Sequence, residues 1–140
     1  MLQEFKQKLS DGHTVFGPFM KTSDPAFVEI AGHAGFDFVI LDMEHGALYY
    51  ENLQNLVRAA EVTGTLPVIR TPNSSEIFIT KALDTGAKGV QVPHVVDAAA
   101  AESCISAAKF HPAGQGELMH MSDPHHILQF RPINISNRPT

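Results

Sequence analysis

The chain has 140 residues, is 44% hydrophobic and carries a net charge of −5; this fits one ordinary domain with a packed core and excludes nucleic-acid binding through a broad basic patch, which needs clustered Lys and Arg. A single cysteine, Cys104, excludes a disulfide framework, and its Ala-rich surroundings read as an inert helix thiol in a reducing compartment, with the cytoplasm the expected location. No run approaches the ~18 apolar residues of a membrane span and Met1 to Asp11 lacks a signal-peptide core, so neither a membrane nor nucleic acid is an expected partner.

A helix-like opening with Leu2, Phe5 and Leu9 ends at Ser10-Asp11-Gly12, and Thr14 to Met20 reads as a first strand. Asp24-Pro25 starts a helix whose apolar stripe is Phe27, Ile30, Ala31 and Ala34, because proline at the first helical position forfeits only an N–H that is unpaired anyway. Gly35 breaks that helix. Phe38 to Leu41 then forms an apolar run without alternation, the pattern of a strand covered on both faces. Leu53, Leu56, Val57 and Ala60 make the next helical stripe, Gly64 a left-handed cap, and Leu66 to Arg70 a third strand. Asn73 and Glu76 read as a capping box for a helix with Ile77, Phe78, Ala82 and Leu83 that stops at Gly86. Gly89 to Val92 is the fourth strand, and Asp97 caps a last Ala-rich helix. Four strand-then-helix units in series predict an α/β class with parallel strands and right-handed crossovers.

Residues 111–140 lack this rhythm. They hold four of the eight histidines and four of the nine prolines, with Ile127 to Phe130 as their only apolar cluster, and the expectation is an irregular tail.

Parallel strands side by side bring their carboxyl ends to one rim, so Asp42, Glu44 and His45 are expected to meet Arg70 there. A histidine held by a carboxylate serves as a general base near neutral pH, and an arginine beside it holds a carboxylate or enolate oxygen with two parallel hydrogen bonds. That set suits proton movement next to a carbonyl. The same residues read equally as scaffold, with His45 capping a loop and Arg70 paired to Asp42. Lys21, just after the first strand, is the one lysine placed for a Schiff base, and reads more simply as a solvated loop residue.

Three segments in order carry a resemblance: Ala31 to Gly46, Pro67 to Pro72, and Leu83 to Pro93. Together they are similar to the HpcH/HpaI aldolase and citrate lyase family, in particular its 2-keto-3-deoxy-sugar-acid and 4-hydroxy-2-oxo-diacid aldolases, over roughly residues 1 to 112. The resemblance implies a (β/α)8 barrel and a class II aldolase, dependent on Mg2+, Mn2+ or Co2+, that cleaves a 4-hydroxy-2-oxo acid to pyruvate or a related 2-oxo acid plus an aldehyde. It also implies roles: His45 as the acid/base, Asp42 as the partner that orients and polarises it, and Arg70 as the cation that binds the pyruvyl oxygens and stabilises the enolate.

The resemblance also implies what is missing. The family's metal ligands are a Glu and an Asp on later strands, and none is recognisable in this chain. Pro112-Ala113-Gly114-Gln115-Gly116-Glu117 lacks the arginine of the family's Pro-x-Gly-x-Arg-Gly segment. A full barrel takes roughly 250 residues, so residues 1–110 are expected to form its N-terminal half, about four βα units of a truncated chain. The alternative function is then an inactive fragment that at most binds a small 2-oxo acid. Open sheet edges predict a homo-oligomer. In the tail, His120, Asp123, His125 and His126 are metal-type ligands in close sequence, and Glu117 matches a missing ligand only in residue type; without oriented supporting partners they make a weak site, and the tail contributes no expected site residue.

Overall fold

The computed structural model describes residues 1–109, so the tail, with Glu117, His120, Asp123, His125, His126 and the Ile127 to Phe130 cluster, lies outside the described residues. Within them the order is α1 (Leu2–Ser10), β1 (Phe19–Met20), α2 (Pro25–His33), β2 (Phe38–Asp42), α3 (Tyr50–Thr63), β3 (Leu66–Arg70), α4 (Glu76–Asp84), β4 (Gly89–Gln91) and α5 (Ala98–Ala107). The four strands form one parallel sheet in the order β1-β2-β3-β4. This is the succession of a (β/α) barrel wall, with each strand beside the one before it.

Strand alternation sorts the two faces. Val39, Leu41, Ile69 and Val90 point to the helices and join Val28, Ala31, Leu53, Leu56, Val57, Ala60, Ile79, Ala82 and Ala107 in the main core. Each fully buried Leu there contributes about 1.5–3 kcal/mol relative to an exposed one. On the opposite face Ile40, Leu66 and Val68 pack around Phe5 of α1, and the Phe5 and Phe38 rings meet edge to face at 5.8 Å. The same face continues upward to Asp42, Arg70 and Gln91, paired across the strands as Asp42 to Arg70 and Arg70 to Gln91. An apolar floor thus carries a polar row at the carboxyl end of the same face.

Several local expectations hold in atomic detail. Asp24 accepts from the Ala26 N–H at 3.0 Å and Asp97 from the Ala100 N–H at 2.7 Å. Gly64 adopts φ 76° at the end of α3, a conformation other residues rarely take. Pro67 is tolerated inside β3 because even-numbered residues donate to β2, as Leu66 does to Asp37, leaving the missing N–H on the side where β4 has not yet begun.

Other details differ. The first strand is two residues long, not seven: Pro18 has no N–H to donate, and the Phe16 N–H goes to the Asp37 side chain at 2.9 Å. The α2 stripe is rotated, with Val28 and Ala31 buried while Phe27 and Ile30 are exposed. Gly32 explains the rotation, since a Cβ there would come within 2.0 Å of Thr63 Oγ1; the close approach of α2 to α3 fixes which side faces inward. The capping box does not form. Ser75 is the N-cap of α4, and the Asn73 side chain accepts from the Ser75 N–H at 2.9 Å in an Asx turn. Ile77 is exposed and Ile79 takes the core position. Burial pushes the Cys104 thiol up, as befits an unreactive helix cysteine.

Candidate active site

Strand β2 delivers Asp42 fully buried, and the turn after it folds back on that carboxylate. Asp42 Oδ1 accepts from the backbone N–H groups of Glu44 and His45, both at 3.1 Å. Gly46 allows this, because a Cβ there would lie 2.2 Å from the Asp42 carbonyl oxygen. From β3, Arg70 grips the same carboxylate with both edge nitrogens, Nε to Oδ1 at 2.9 Å and Nη2 to Oδ2 at 2.7 Å. Its remaining nitrogen, Nη1, lies 3.2 Å from Glu44 Oε2. A guanidinium has five N–H donors; Asp42 takes two by hydrogen bonds and Glu44 faces Nη1 as an ion pair, which among the described residues leaves a donor on each Nη. The Phe19 ring lies under the guanidinium carbon at 4.8 Å.

Asp42, Glu44 and Arg70 therefore meet as expected. His45 joins them by its backbone, not its ring: Asp42 holds the His45 N–H, and the imidazole Nε2 is 3.8 Å from Glu44 Oε1 with the side chain 61% exposed. The expected contact of Asp42 with the His45 imidazole is absent from this arrangement, because Arg70 and two backbone donors already occupy the carboxylate. Lys21 lies at the same rim, 4.0 Å from Asp42 Oδ2 and half exposed.

Sequence reasoning missed His94, whose Nε2 lies 3.1 Å from Glu44 Oε1 and whose backbone sits at φ 58°. It stands three residues past the end of β4, as His45 stands three past Asp42 at the end of β2. The strand-end rule applied to β4 would have found it.

Burial by itself would raise the Asp42 carboxyl, but the Arg70 hydrogen bonds, followed by the His45 N–H, outweigh it and hold the group below the ordinary carboxylate value. The Asp42 hydrogen bonds in turn hold Arg70 still more firmly protonated. A folded value below the unfolded one of about 3.9 means stability present above that pH and lost as pH falls through the folded value. Urea unfolding should show wild type losing stability below about pH 4 more steeply than Asp42→Asn. Asp37, held down chiefly by Lys8, acts in the same window in both proteins, so the difference isolates Asp42.

Among the described residues no group of three or more His, Cys, Asp or Glu side chains is placed to hold a metal ion. The donor set explains why: Asp42 already accepts four hydrogen bonds and Glu44 is divided between Arg70 and His94. The described residues do not fit the divalent metal that the resemblance implies. No helix among them is long and apolar enough to cross a membrane.

Comparison with known proteins supplies context for this rim. The family model HpcH/HpaI aldolase/citrate lyase matches residues 16–135, further along the chain than the motif resemblance reaches. The chain is 33% identical over 98 residues to 2-dehydro-3,6-dideoxy-6-sulfogluconate aldolase of Pseudomonas putida, covering 70% of this chain and 38% of that protein. It is 35% identical over 113 residues to hydroxypyruvate/pyruvate aldolase of Pseudomonas aeruginosa, covering 81% and 42%. The crystal structure of an HpcH/HpaI aldolase from Desulfitobacterium hafniense superposes with a TM-score of 0.74 at 32% identity, over 81% of this chain and 44% of that one. The chain thus spans about two fifths of the curated relatives it matches, and its fold is four βα units of a partial (β/α)8 barrel.

Proposed function

The chain belongs to the HpcH/HpaI aldolase/citrate lyase family, and on that premise we propose that the Arg70 and His45 rim is the 2-oxo-acid-binding, proton-transferring part of a class II aldolase-type lyase site. Such a site cleaves a 4-hydroxy-2-oxo acid to pyruvate, or a related 2-oxo acid, and an aldehyde. The observation that carries the reading is the Arg70 guanidinium, clamped by Asp42 and Glu44 with one N–H left on each Nη.

Those two donors receive the 2-oxo acid's oxygens, and stabilisation of the developing enolate comes from a cation already oriented before reaction. His45 takes the proton from the C4 hydroxyl as the C3–C4 bond breaks, and the electron pair moves through C3–C2 onto the C2 oxygen. The imidazolium then returns the proton to C3, so the cycle is balanced. Asp42 acts as a positioning residue, holding Arg70 by its side chain and His45 by its backbone. A divalent ion would add electrophilic polarisation of the 2-oxo group, but the described residues do not supply its ligands. That mismatch favours a second reading for the 140-residue chain, binding of a 2-oxo acid without turnover. Assaying pyruvate release from a 4-hydroxy-2-oxo acid with added Mg2+, Mn2+ or Co2+, beside pyruvate binding by calorimetry, separates them: turnover supports the first, saturable binding alone the second, and neither defeats both.

The same reading includes a homo-oligomer in the cytoplasm. Among the described residues β1 and β4 are the outer strands with no further strand beside them, and Phe27, Ile30 and Val96 are exposed. Sedimentation velocity at micromolar concentration should give a dimer or larger species, and a well-behaved monomer contradicts this.

A further inference from the structure

Gln91 is the one member of the polar row that the proposed chemistry leaves unused. It ends β4, its Cα is paired with that of Arg70, and strand alternation puts Val90 in the helix-facing core, so the Gln91 side chain shares the face of Arg70 and Asp42. Its Oε1 is buried with no hydrogen-bond partner among the described residues. A buried acceptor without a donor is costly to keep, about 1–3 kcal/mol for such a group. The Gln91 carbonyl, by contrast, accepts from the Thr71 N–H at 3.0 Å. The Gln91 side chain thus keeps unused accepting capacity on the sheet face that carries Arg70.

We infer that Gln91 is a substrate-binding residue that selects 2-oxo acids carrying a hydroxyl on carbon 3, by accepting a hydrogen bond from that hydroxyl. The inference rests on Arg70 holding the 2-oxo acid, as proposed above. Neighbouring strands lie about 4.8 Å apart, a gap that a three-carbon acid held at Arg70 by its carboxyl end and the length of the Gln91 side chain span together. Pyruvate offers no donor at carbon 3, only a methyl group, and leaves Oε1 unsatisfied. Hydroxypyruvate supplies the donor. A site built around a substrate hydroxyl discriminates more sharply than an apolar pocket, because the analogue without it leaves a polar group unpaired.

The test compares hydroxypyruvate with pyruvate on the full 140-residue chain by calorimetry, in wild type, Gln91→Met and Gln91→Glu. Wild type should favour hydroxypyruvate by about tenfold, the worth of one hydrogen bond that satisfies a buried acceptor. Gln91→Met should erase that preference while leaving the melting temperature equal or higher, since it removes an orphaned acceptor and keeps the volume. Gln91→Glu keeps an acceptor and adds charge beside Asp42 and Glu44, so both ligands should weaken together with the preference retained. A ratio unchanged by Gln91→Met, or lost equally in Gln91→Glu, overturns the inference while binding at Arg70 stands. Failure of wild type to bind either ligand overturns both.

Discussion

Arg70→Met should destabilise the chain by about 3–5 kcal/mol at pH 7, the usual cost of removing one partner from a buried ion pair. The size follows from what is left behind: Asp42 has no exposed surface, and without the guanidinium its charge keeps only two backbone N–H donors. Lys21 does not replace Arg70, because its Nζ is 4.0 Å away and half in solvent. Binding of a 2-oxo acid should fall by about two orders of magnitude, since each charge-assisted hydrogen bond is worth about 1.5–3 kcal/mol. Arg70→Lys should recover part of the stability and little of the binding, because an ammonium cannot span both Asp42 oxygens and still offer a donor pair to a ligand. Urea denaturation at pH 7 and at pH 3 checks the cause. Protonation of Asp42 removes the stranded charge, so the gap between wild type and Arg70→Met should narrow at the lower pH; a gap independent of pH would assign the loss to packing against Phe19 instead.

His45→Gln should do the reverse, lowering proton transfer by about 10²–10⁴-fold while changing stability by no more than about 0.5 kcal/mol. The His45 ring is 61% exposed and 3.8 Å from its nearest carboxylate, so little packing is lost. The structural contribution of His45 is its backbone N–H to Asp42, which glutamine keeps. Glutamine also retains polar reach but does not exchange a proton in the neutral range. Measuring kcat and the pyruvate dissociation constant separately tells the roles apart: His45→Gln should lower kcat at near-constant binding, and Arg70→Met should weaken binding as well. The contrast between the two variants follows from exposure, with one group buried in the network and the other at its open edge.

Much of this arrangement was legible in the sequence because it follows from local rules. The apolar run at Phe38 to Leu41 and the placement of Arg70 at the end of Leu66 to Arg70 both depend on strand periodicity, and parallel topology then brought Asp42, Glu44 and Arg70 to one rim. What was not legible depended on competition between partners. Asp42 had several donors within chain reach, and only the three-dimensional structure shows that Arg70 and two backbone N–H groups occupy it instead of the His45 imidazole. The rotated stripe of α2 has the same origin. Periodicity found the helix, but the close contact of Gly32 with Thr63, thirty-one residues further on, set which side is buried. His94, three residues past Gln91 at the end of β4, follows the same strand-end rule as His45 and was legible on that ground.

Arg70 and His45 are proposed to enolise a bound 2-oxo acid together, and a measurement of that step needs no aldehyde. The methyl protons of pyruvate are incubated in D2O with the 140-residue chain, with and without Mg2+, Mn2+ or Co2+, and their exchange is followed by proton NMR. Wild type is predicted to exchange them faster than the buffer and metal alone, with the excess lost in both His45→Gln and Arg70→Met. Exchange at the background rate in wild type, or an excess that survives in His45→Gln, would contradict the account.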